Sequence, residues 1–278
     1  MNHSSLIKKL RKERGLSQSQ LAKGISQRST LASFEKSAQK ISSTLLIQYL
    51  ERMNITLEEY QYLLDKENFS EKREHLFDFY QQLTEDYDEE FEKSLLVKFD
   101  ETNDSYYWIL HAMYYLILKR ENKEIIYMKR KEKLRSVIIE HLDSIENWGH
   151  FEFFIFIHTL FCFEDTYIYY HFTRSVKRMK AYLDYQYYDK DIAVFLIQGV
   201  QLAFDRGAHQ LFHLFMIELK KFAKQFHTSD AVITWKLFDF LSTTSKYDYK
   251  KKKELLFVLN YLGKKEEMTY VEKYMETE

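Results

Sequence analysis

The chain has 278 residues and a formal net charge of −1 at pH 7, from 41 Lys and Arg against 42 Asp and Glu. This balance hides an uneven distribution, because residues 1–66 carry a net charge of +5 and residues 67–278 a net charge of −6. A basic module suits a polyanion such as DNA, whereas an acidic one is repelled by it, so we expect two domains with different partners. The single cysteine, Cys162, excludes a disulfide within the chain and is interpreted as a packing residue.

Local signals predict two helices and a turn at the start of the chain. Leu6 and Leu10 lie one turn apart, and their apolar face would pack inward in a first helix. Gly15 is placed to end that helix. Residues 17–20, with the sequence Ser-Gln-Ser-Gln, form a capping box that satisfies the first free amides of a second helix.

Three further short helices are predicted over 27–36, over 42–53 and from Thr56 onward. Ser26 is the predicted cap of the third helix, and a second capping box begins at Thr56. The five helices would form one compact module over residues 1–65. In such a module the second and third helices form a helix-turn-helix, and the third can enter a DNA major groove.

The outer, N-terminal side of the third helix carries side chains that can read DNA. Arg can donate two hydrogen bonds to guanine, Gln can pair with adenine, and Ser or Thr can bond to bases or phosphates. Together with polar and basic neighbours, the predicted DNA-binding residues are Arg11, Ser17, Gln18, Gln27, Arg28, Ser29, Thr30, Ser33 and Lys40.

Three segments carry a family resemblance: LRKERGLSQSQLA, QRSTLASFEKS and ISSTLLIQYLERMNITLEEY. They resemble the lambda-repressor/Cro class of helix-turn-helix proteins and, within it, the Rgg/GadR/MutR family of bacterial transcriptional regulators. The resemblance implies that Arg11 pairs with Glu35, which leaves a structural role and a phosphate contact as alternatives for Arg11. Ser33 and Ser37 stand where the family usually has Arg and Gly, so the preferred DNA sequence should differ from that of relatives.

Residues 66–70 are predicted to link this module to an all-helical domain over 71–278. Apolar helical stretches alternate there with short polar breaks, and the chain contains no proline to interrupt them. Antiparallel helix pairs of this kind stack into a solenoid. The resemblance implies a degenerate, right-handed repeat domain similar to tetratricopeptide repeats, which dimerises and binds short peptide pheromones. The predicted fold class is therefore all-α.

A lone polar residue recurs within the apolar stretches of this domain. The four residues, at separations of 47, 40 and 41, are His111, His158, Gln198 and Asp239. This spacing is about one helix pair, so all four could line one side of a solenoid and offer hydrogen bonds to an extended peptide. The alternative for each is a buried polar residue that a neighbouring carbonyl satisfies.

The family resemblance adds Trp148 and Glu152 to the candidate peptide-binding residues, and it shows that His158 and Gln198 differ from the residues usual in the family. The segment WGHFEFFIFIHTLF resembles the family pattern W-x-x-x-E-x-x-x-F-x-N and places Trp148, Glu152 and Phe156 on matching positions. His158 and Gln198 stand where relatives carry peptide-holding Asn residues. Gln offers a donor and an acceptor as Asn does, and neutral His offers one of each. The predicted peptide-binding residues are His111, Trp148, Glu152, His158, Gln198 and Asp239.

Other chemistry is not supported by the sequence. His209 and His213 lie one helical turn apart but lack a third ligand, so we expect neither a metal nor a cofactor. No phosphate loop or catalytic motif is present, which argues against an enzyme.

The apolar stretches 153–163 and 192–204 are shorter than the ~20 residues that span a bilayer. Without a secretory signal the expected compartment is the cytoplasm. The lysine run 250–253 is interpreted as a solvated helix face, with contact to DNA or an acidic partner as the alternative.

These observations predict a cytoplasmic homodimer that binds a two-fold promoter site in double-stranded DNA and senses a short apolar peptide, with no membrane partner. The rival interpretation is a helical-repeat scaffold that sequesters a partner protein, while its first domain binds DNA weakly or without specificity. Operator affinity well above non-specific affinity at the same salt concentration would distinguish the regulator from the scaffold.

Overall fold

The computed structural model describes residues 2–37, 40–65, 71–120, 125–181, 188–244 and 247–275. Every regular element in these ranges is helical, so the predicted all-α class is confirmed. The chain forms two compact units, Met1–Glu85 and Asp86–Glu278. None of the described helices combines the length and the apolar character needed to cross a membrane.

The first unit contains the predicted five-helix module and one further helix. Its described helices are α1 (His3–Glu13), α2 (Gln18–Ala22), α3 (Arg28–Ser37), α4 (Ser43–Arg52), α5 (Leu57–Asp65) and α6 (Glu71–Gln82). The capping box before α2 is confirmed: Ser17 Oγ accepts from the backbone N–H of Gln20 at 3.2 Å, and Gln20 Oε1 accepts from that of Ser17 at 2.7 Å. Gly15 follows α1 with φ +65°, a left-handed conformation that residues with a Cβ rarely adopt.

An apolar core built from α1 to α5 orients α3, the helix predicted to read DNA. Leu31 and Phe34 of α3 are buried in it together with Leu6, Leu10 and Tyr49. Since one side of α3 is fixed in the core, its other side must face outward.

The predicted cap at Ser26 is wrong. The Ser26 hydroxyl instead shares a hydrogen bond of 2.6 Å with the hydroxyl of Tyr49 and donates to the carbonyl of Gln27 at 3.1 Å. The ring of Tyr49 is fully buried, so its hydroxyl requires a partner, and Ser26 supplies one from the turn before α3. The predicted cap of α5 is present, because Thr56 Oγ1 accepts from the backbone N–H of Glu59 at 3.1 Å.

The two compact units divide at Glu85, later in the chain than the predicted domains. The predicted linker, 66–70, lies outside the described residues. Helix α6, which the sequence grouped with the repeat domain, falls in the first unit. The domain limits 1–65 and 71–278 stay predictions.

The second unit is a helical repeat whose alternate helices form a layer. Its described helices are α7 (Glu89–Thr102), α8 (Ser105–Leu118), α9 (Ile125–Ser144), α10 (His150–His158), α11 (Asp165–Ala181), α12 (Tyr188–Asp205), α13 (His209–Phe226), α14 (Ser229–Thr243), α15 (Tyr249–Tyr261) and α16 (Lys265–Tyr274). Helices α8, α10, α12, α14 and α16 each pack on the next in this order, while odd-numbered helices pack on their chain neighbours. The even-numbered helices therefore form one continuous layer.

Contacts at both ends set α10 and α12 parallel. Near their first turns, His150 Nε2 lies 3.2 Å from Asp191 Oδ2. At the other end, the guanidinium of Arg206 donates to the carbonyls of Phe161 and Phe163 at 2.8 and 2.9 Å, just after α10. The register of the two helices is thus fixed, and residues at equal distances from the His150–Asp191 contact lie side by side.

Helices α12 and α13 approach closely at one point. Gly199 of α12 faces the buried ring of Phe215 of α13, and a Cβ at this position would overlap that ring. Phe215 in turn packs edge-on against Phe172 and Phe195, with centroids 4.8 and 5.1 Å away. The glycine therefore makes room for an aromatic side chain at the centre of this unit.

Candidate DNA-binding and ligand-binding surfaces

The N-terminal part of α3 and the residue before it form an exposed polar surface. The exposed side chains are Gln27, Arg28, Ser29 and Thr30. Ser33, one turn further on, is half-buried. These residue types can hydrogen-bond to base edges or phosphates, and this is the part of a recognition helix that meets the bases. The geometry suits entry of α3 into a major groove.

Two other predicted DNA-binding residues, Ser17 and Lys40, are also exposed. Ser17 is exposed just before α2, although its hydroxyl already caps that helix. Lys40 is exposed in the segment before α4. A lysine there can contribute charge to phosphate binding without reading sequence.

Two predicted DNA-binding residues, Arg11 and Gln18, donate hydrogen bonds to the buried carboxylate of Glu35. Arg11 donates from Nε and from a terminal nitrogen to the two carboxylate oxygens of Glu35, at 2.6 and 2.7 Å, and from the other terminal nitrogen to the carbonyl of Leu16 at 2.7 Å. Gln18 Nε2 donates to the same carboxylate at 2.9 Å. The side chains of Arg11 and Glu35 are only 9 % and 2 % exposed, so the geometry favours the structural role of Arg11.

The charge of Glu35 is stabilised in this setting. Burial acts to raise the pKa of Glu35, but the hydrogen bonds from Arg11 and Gln18 outweigh burial, and the pKa lies below its ordinary value. The pair joins α1 to α3, and Gln18 adds α2. It therefore sets the placement of the helix that presents Arg28.

Among the predicted peptide-binding residues, His111 belongs to a buried polar cluster. Its Nε2 lies 2.7 Å from Glu92 Oε1, and Arg130 and Tyr87 also donate to this carboxylate. The imidazole stacks on Trp108 with centroids 4.9 Å apart. Since Glu92 lies on α7 and Arg130 on α9, the Nε2 side of His111 faces those helices, while its Nδ1 is buried without a hydrogen-bond partner among the described residues.

Trp148 and Glu152 likewise have structural roles. Trp148 is buried, donates from Nε1 to the carbonyl of Leu142 at 2.8 Å, and stacks on His171 with centroids 4.9 Å apart. Glu152 Oε2 accepts from the backbone N–H of Gly149 at 2.7 Å and so caps α10. Both side chains form hydrogen bonds near the start of α10, and their role in peptide binding stays a prediction.

His158 and Gln198 lie side by side on neighbouring helices. His158 is eight residues after His150, and Gln198 seven after Asp191, so at 1.5 Å per residue they lie about 12 and about 10.5 Å from the same contact. We use the name α10/α12 face for the surface that comprises Phe151, Phe154, His158, Asp191, Val194 and Gln198. Members on each helix are three, four or seven residues apart and so share one side of it.

The α10/α12 face combines three apolar with three polar side chains and is partly accessible. Phe154 is buried beneath it, Val194 is exposed, and the other members are half-buried. His158 Nδ1 lies 2.9 Å from the carbonyl of Phe154, and burial lowers the pKa of His158, which favours its neutral form. A neutral imidazole and an amide on an apolar surface can hydrogen-bond to a peptide backbone.

Asp239, the last predicted ligand residue, lies on α14 and is exposed. Its backbone carbonyl accepts from the hydroxyls of Ser242 and Thr243. No described contact joins it to the α10/α12 face. The sequence missed His150, Phe151, Asp191 and Val194, although the seven-residue spacing between Asp191 and Gln198 would have indicated a shared helix face.

Two further sequence interpretations can be compared with the structure. Burial raises the pKa of Cys162 to about 12, so the thiol stays protonated, in keeping with a packing role. In the run 250–253, Lys252 is buried and donates to the carbonyl of Met275 at 2.7 Å, so the solvated-face interpretation is wrong for this residue. The described residues contain no group of three His, Cys, Asp or Glu side chains suited to a metal ion.

Comparisons with known proteins identify the family. A helix-turn-helix pattern matches residues 7–60, and the pattern of the C-terminal domain of the HTH-type transcriptional regulator Rgg matches residues 81–273. No curated protein sequence matches the chain.

Solved structures with a similar fold share little sequence identity with the chain. A protein from Listeria monocytogenes EGD-e, described as a transcriptional regulator, is similar with a TM-score of 0.75 at 18 % identity over 93 % of this chain and 90 % of that one. The SHP pheromone receptor Rgg2 of Streptococcus dysgalactiae gives 0.68 at 15 % over 97 % of both chains. The complex of PrgX with cCF10 gives 0.67 at 14 % over 98 % and 97 %. Because the Rgg pattern alone covers well over half of the sequence, the chain belongs to the Rgg family of HTH-type transcriptional regulators and is not an enzyme.

Proposed function

We propose that the protein is a dimeric transcriptional regulator that binds a two-fold promoter site and is controlled by a short apolar peptide on the α10/α12 face. As a DNA-binding regulator it would act in the cytoplasm, where bacterial DNA is found. Peptide binding would favour one relative placement of the two DNA-binding modules in the dimer and so change operator affinity.

The observation that carries DNA recognition is the exposed polar start of α3, backed by the buried Arg11–Glu35 pair. Arg28 and Gln27 are the residues there that can make bidentate contacts with a base, Arg with guanine and Gln with adenine. Ser29 and Thr30 can add bonds to bases or phosphates. The fixed position of α3 supports specific recognition, because a rigid helix presents these groups in one geometry.

Peptide control is supported by the chemistry of the α10/α12 face. An extended peptide needs apolar contacts for its side chains and hydrogen-bond partners for its backbone, and this face offers both. The similar protein Rgg2 is named a pheromone receptor, and PrgX was solved with cCF10. These names describe those proteins and support the same kind of ligand here.

Dimerisation through the second unit is supported by exposed aromatic residues on α15. Phe257 and Tyr261, one turn apart, are 73 % and 84 % exposed, and Val258 beside them is also exposed. Adjacent apolar side chains of this size commonly mark a protein interface. We assign them to a second copy of the chain, since a two-fold DNA site needs two DNA-binding modules.

Selection of genomic DNA fragments by the purified full-length protein, followed by sequencing, tests the DNA-binding proposal. The selected site should be two-fold symmetric and should bind about 10³-fold or more tightly than random DNA at the same salt concentration. Equal affinities for selected and random DNA would favour the rival, a scaffold that sequesters a partner protein.

Sedimentation of the full-length chain tests the dimer. The wild type and a matched control, Val97→Ser at another exposed apolar position, should sediment as dimers. The Phe257→Ser/Tyr261→Ser variant should dissociate at micromolar concentration. A dimer that persists in this variant would exclude the α15 surface as the interface.

A further inference from the structure

Asp191 introduces a negative charge into the otherwise uncharged α10/α12 face. Its side chain is 30 % exposed, and it lies on the same side of α12 as Val194 and Gln198. The other members are two phenylalanines, a valine, an amide and His158, whose pKa is lowered by burial. A ligand on this face would therefore meet one anionic group, close to the first turns of α10 and α12.

The carboxylate of Asp191 has unused acceptor capacity. Its Oδ2 is shielded from solvent and has no hydrogen-bond partner among the described residues. His150 Nε2 lies 3.2 Å from this oxygen, but the contact is an ion pair by distance and not an aligned hydrogen bond. A buried carboxylate oxygen without a donor is uncommon, because its desolvation is not compensated.

His150 can give up this contact at small cost. Its side chain is 57 % exposed, and screening by water weakens the attraction between an exposed imidazole and a carboxylate. The carboxylate of Asp191 raises the pKa of His150, so part of the imidazole is charged near neutral pH. A stronger and better-aligned cation could therefore replace it.

We propose that Asp191 binds a cationic amine of the peptide, so that the cognate ligand is an apolar peptide with a positive charge near one end. The amine is either the N-terminal ammonium or the side chain of a terminal lysine, which share the same chemistry. The proposal rests on the proposed function, since it assigns a ligand class to the same face. His158 and Gln198, about 10 Å further along the helices, would then bind the middle of the peptide backbone.

Affinity selection from synthetic peptide mixtures tests this assignment. Full-length protein is equilibrated with apolar octapeptides that carry either Lys or Glu at the first position, each with a free or an acetylated N-terminus. Bound peptides are separated by gel filtration and quantified by mass spectrometry. Peptides that carry the amine that Asp191 binds, either the free N-terminus or the lysine, should be enriched about tenfold over the acetylated Glu peptides, because hydrogen bonds to charged groups are worth about that factor.

Two variants assign the preference to Asp191, and the four peptide sets identify the amine. Asp191→Asn, which keeps the shape but not the charge, should lose the enrichment, and Asp191→Glu should keep most of it. The matched control Asp100→Asn, at an exposed position on α7, should behave as wild type. Enrichment that needs the free N-terminus identifies the ammonium, and enrichment that needs lysine identifies the side chain.

The outcomes separate this inference from the proposed function. Peptides that bind without charge preference, or a preference that survives Asp191→Asn, would overturn the role of Asp191 and leave peptide binding intact. If the folded wild-type protein retains no peptide from any set, both proposals are wrong. Melting curves of each variant establish that it is folded.

Discussion

The buried pair of Arg11 and Glu35 allows a test of what Arg11 does. Arg11→Met leaves the Glu35 carboxylate buried with only Gln18 as a side-chain donor, and breaking a buried pair in this way costs about 3–5 kcal/mol. The double variant Arg11→Met/Glu35→Met removes both charges, and such replacements are often neutral or stabilising. Against a total stability of about 5–15 kcal/mol, the single change should be severe and the double change mild.

Urea unfolding of the full-length chain measures this effect with an internal control. The three tryptophans, Trp108, Trp148 and Trp235, all lie in the second unit, so their fluorescence reports that unit alone. Circular dichroism reports both units. In Arg11→Met the unfolding transition of the first unit should move to a lower urea concentration, while the fluorescence transition of the second unit should not move. In the double variant the transition of the first unit should return to about the urea concentration found for the wild type.

The pH dependence of stability gives a second measurement on Glu35. Its folded-state pKa is lowered, so its contribution is full above the unfolded value near 4.5 and is lost as the pH falls through the folded value. The first unit of the wild type should therefore weaken more steeply below about pH 4.5 than that of the double variant, which lacks this carboxylate.

DNA binding by the double variant supplies the result that would refute this reasoning. If Arg11 acts only through Glu35, the folded double variant should bind operator with unchanged salt dependence. A slope of log affinity against log salt that falls in magnitude by about 0.9, with a loss of affinity, would mean that Arg11 contacts a phosphate. A cost below about 1 kcal/mol for Arg11→Met would contradict the buried pair itself.

Further predictions concern both units. Arg28→Ala should cost about 1–3 kcal/mol on operator and relax preference at one base position, and equal losses on random DNA would make it a phosphate contact. His158→Ala and Gln198→Ala should each weaken binding of a selected peptide by about 1–2 kcal/mol in calorimetric titration, with little change in melting temperature. Intact affinity with a lowered melting temperature would make them core residues. Gly199→Ala should destabilise the second unit by about 1–3 kcal/mol through overlap with Phe215, and Phe215→Leu should partly relieve it; additive losses would contradict the clash.

Local signals in the sequence predicted the first unit well because its helix ends are determined by nearby residues. Ser17 and Thr56 cap the helices that directly follow them, and Gly15 ends the helix before it. Ser26 was mispredicted because its partner, Tyr49, lies 23 residues away and meets it only in the folded core. A short polar side chain before a helix indicates a cap only if no tertiary partner competes for it.

In the second unit, the spacing of polar residues predicted the layer but not the direction of each side chain. His111, His158, Gln198 and Asp239 all lie on even-numbered helices of one layer, as a spacing of one helix pair implies. Rotation about each helix axis is decided by packing, and it turns His111 toward Glu92. Repeat spacing alone therefore cannot distinguish a residue on a ligand-facing surface from one in the core.

The fit of Phe215 against Gly199 also has a mechanical consequence. On the side of α12 that faces Phe215, the neighbours of Gly199 lie one turn away, and Phe195 and Ala203 there carry side chains and are buried. A slide of α13 along α12 would therefore press the ring of Phe215 against one of these two side chains. The two helices are thus interlocked against sliding and should move as one rigid body, so a force applied to Gln198 would displace α13 together with α12.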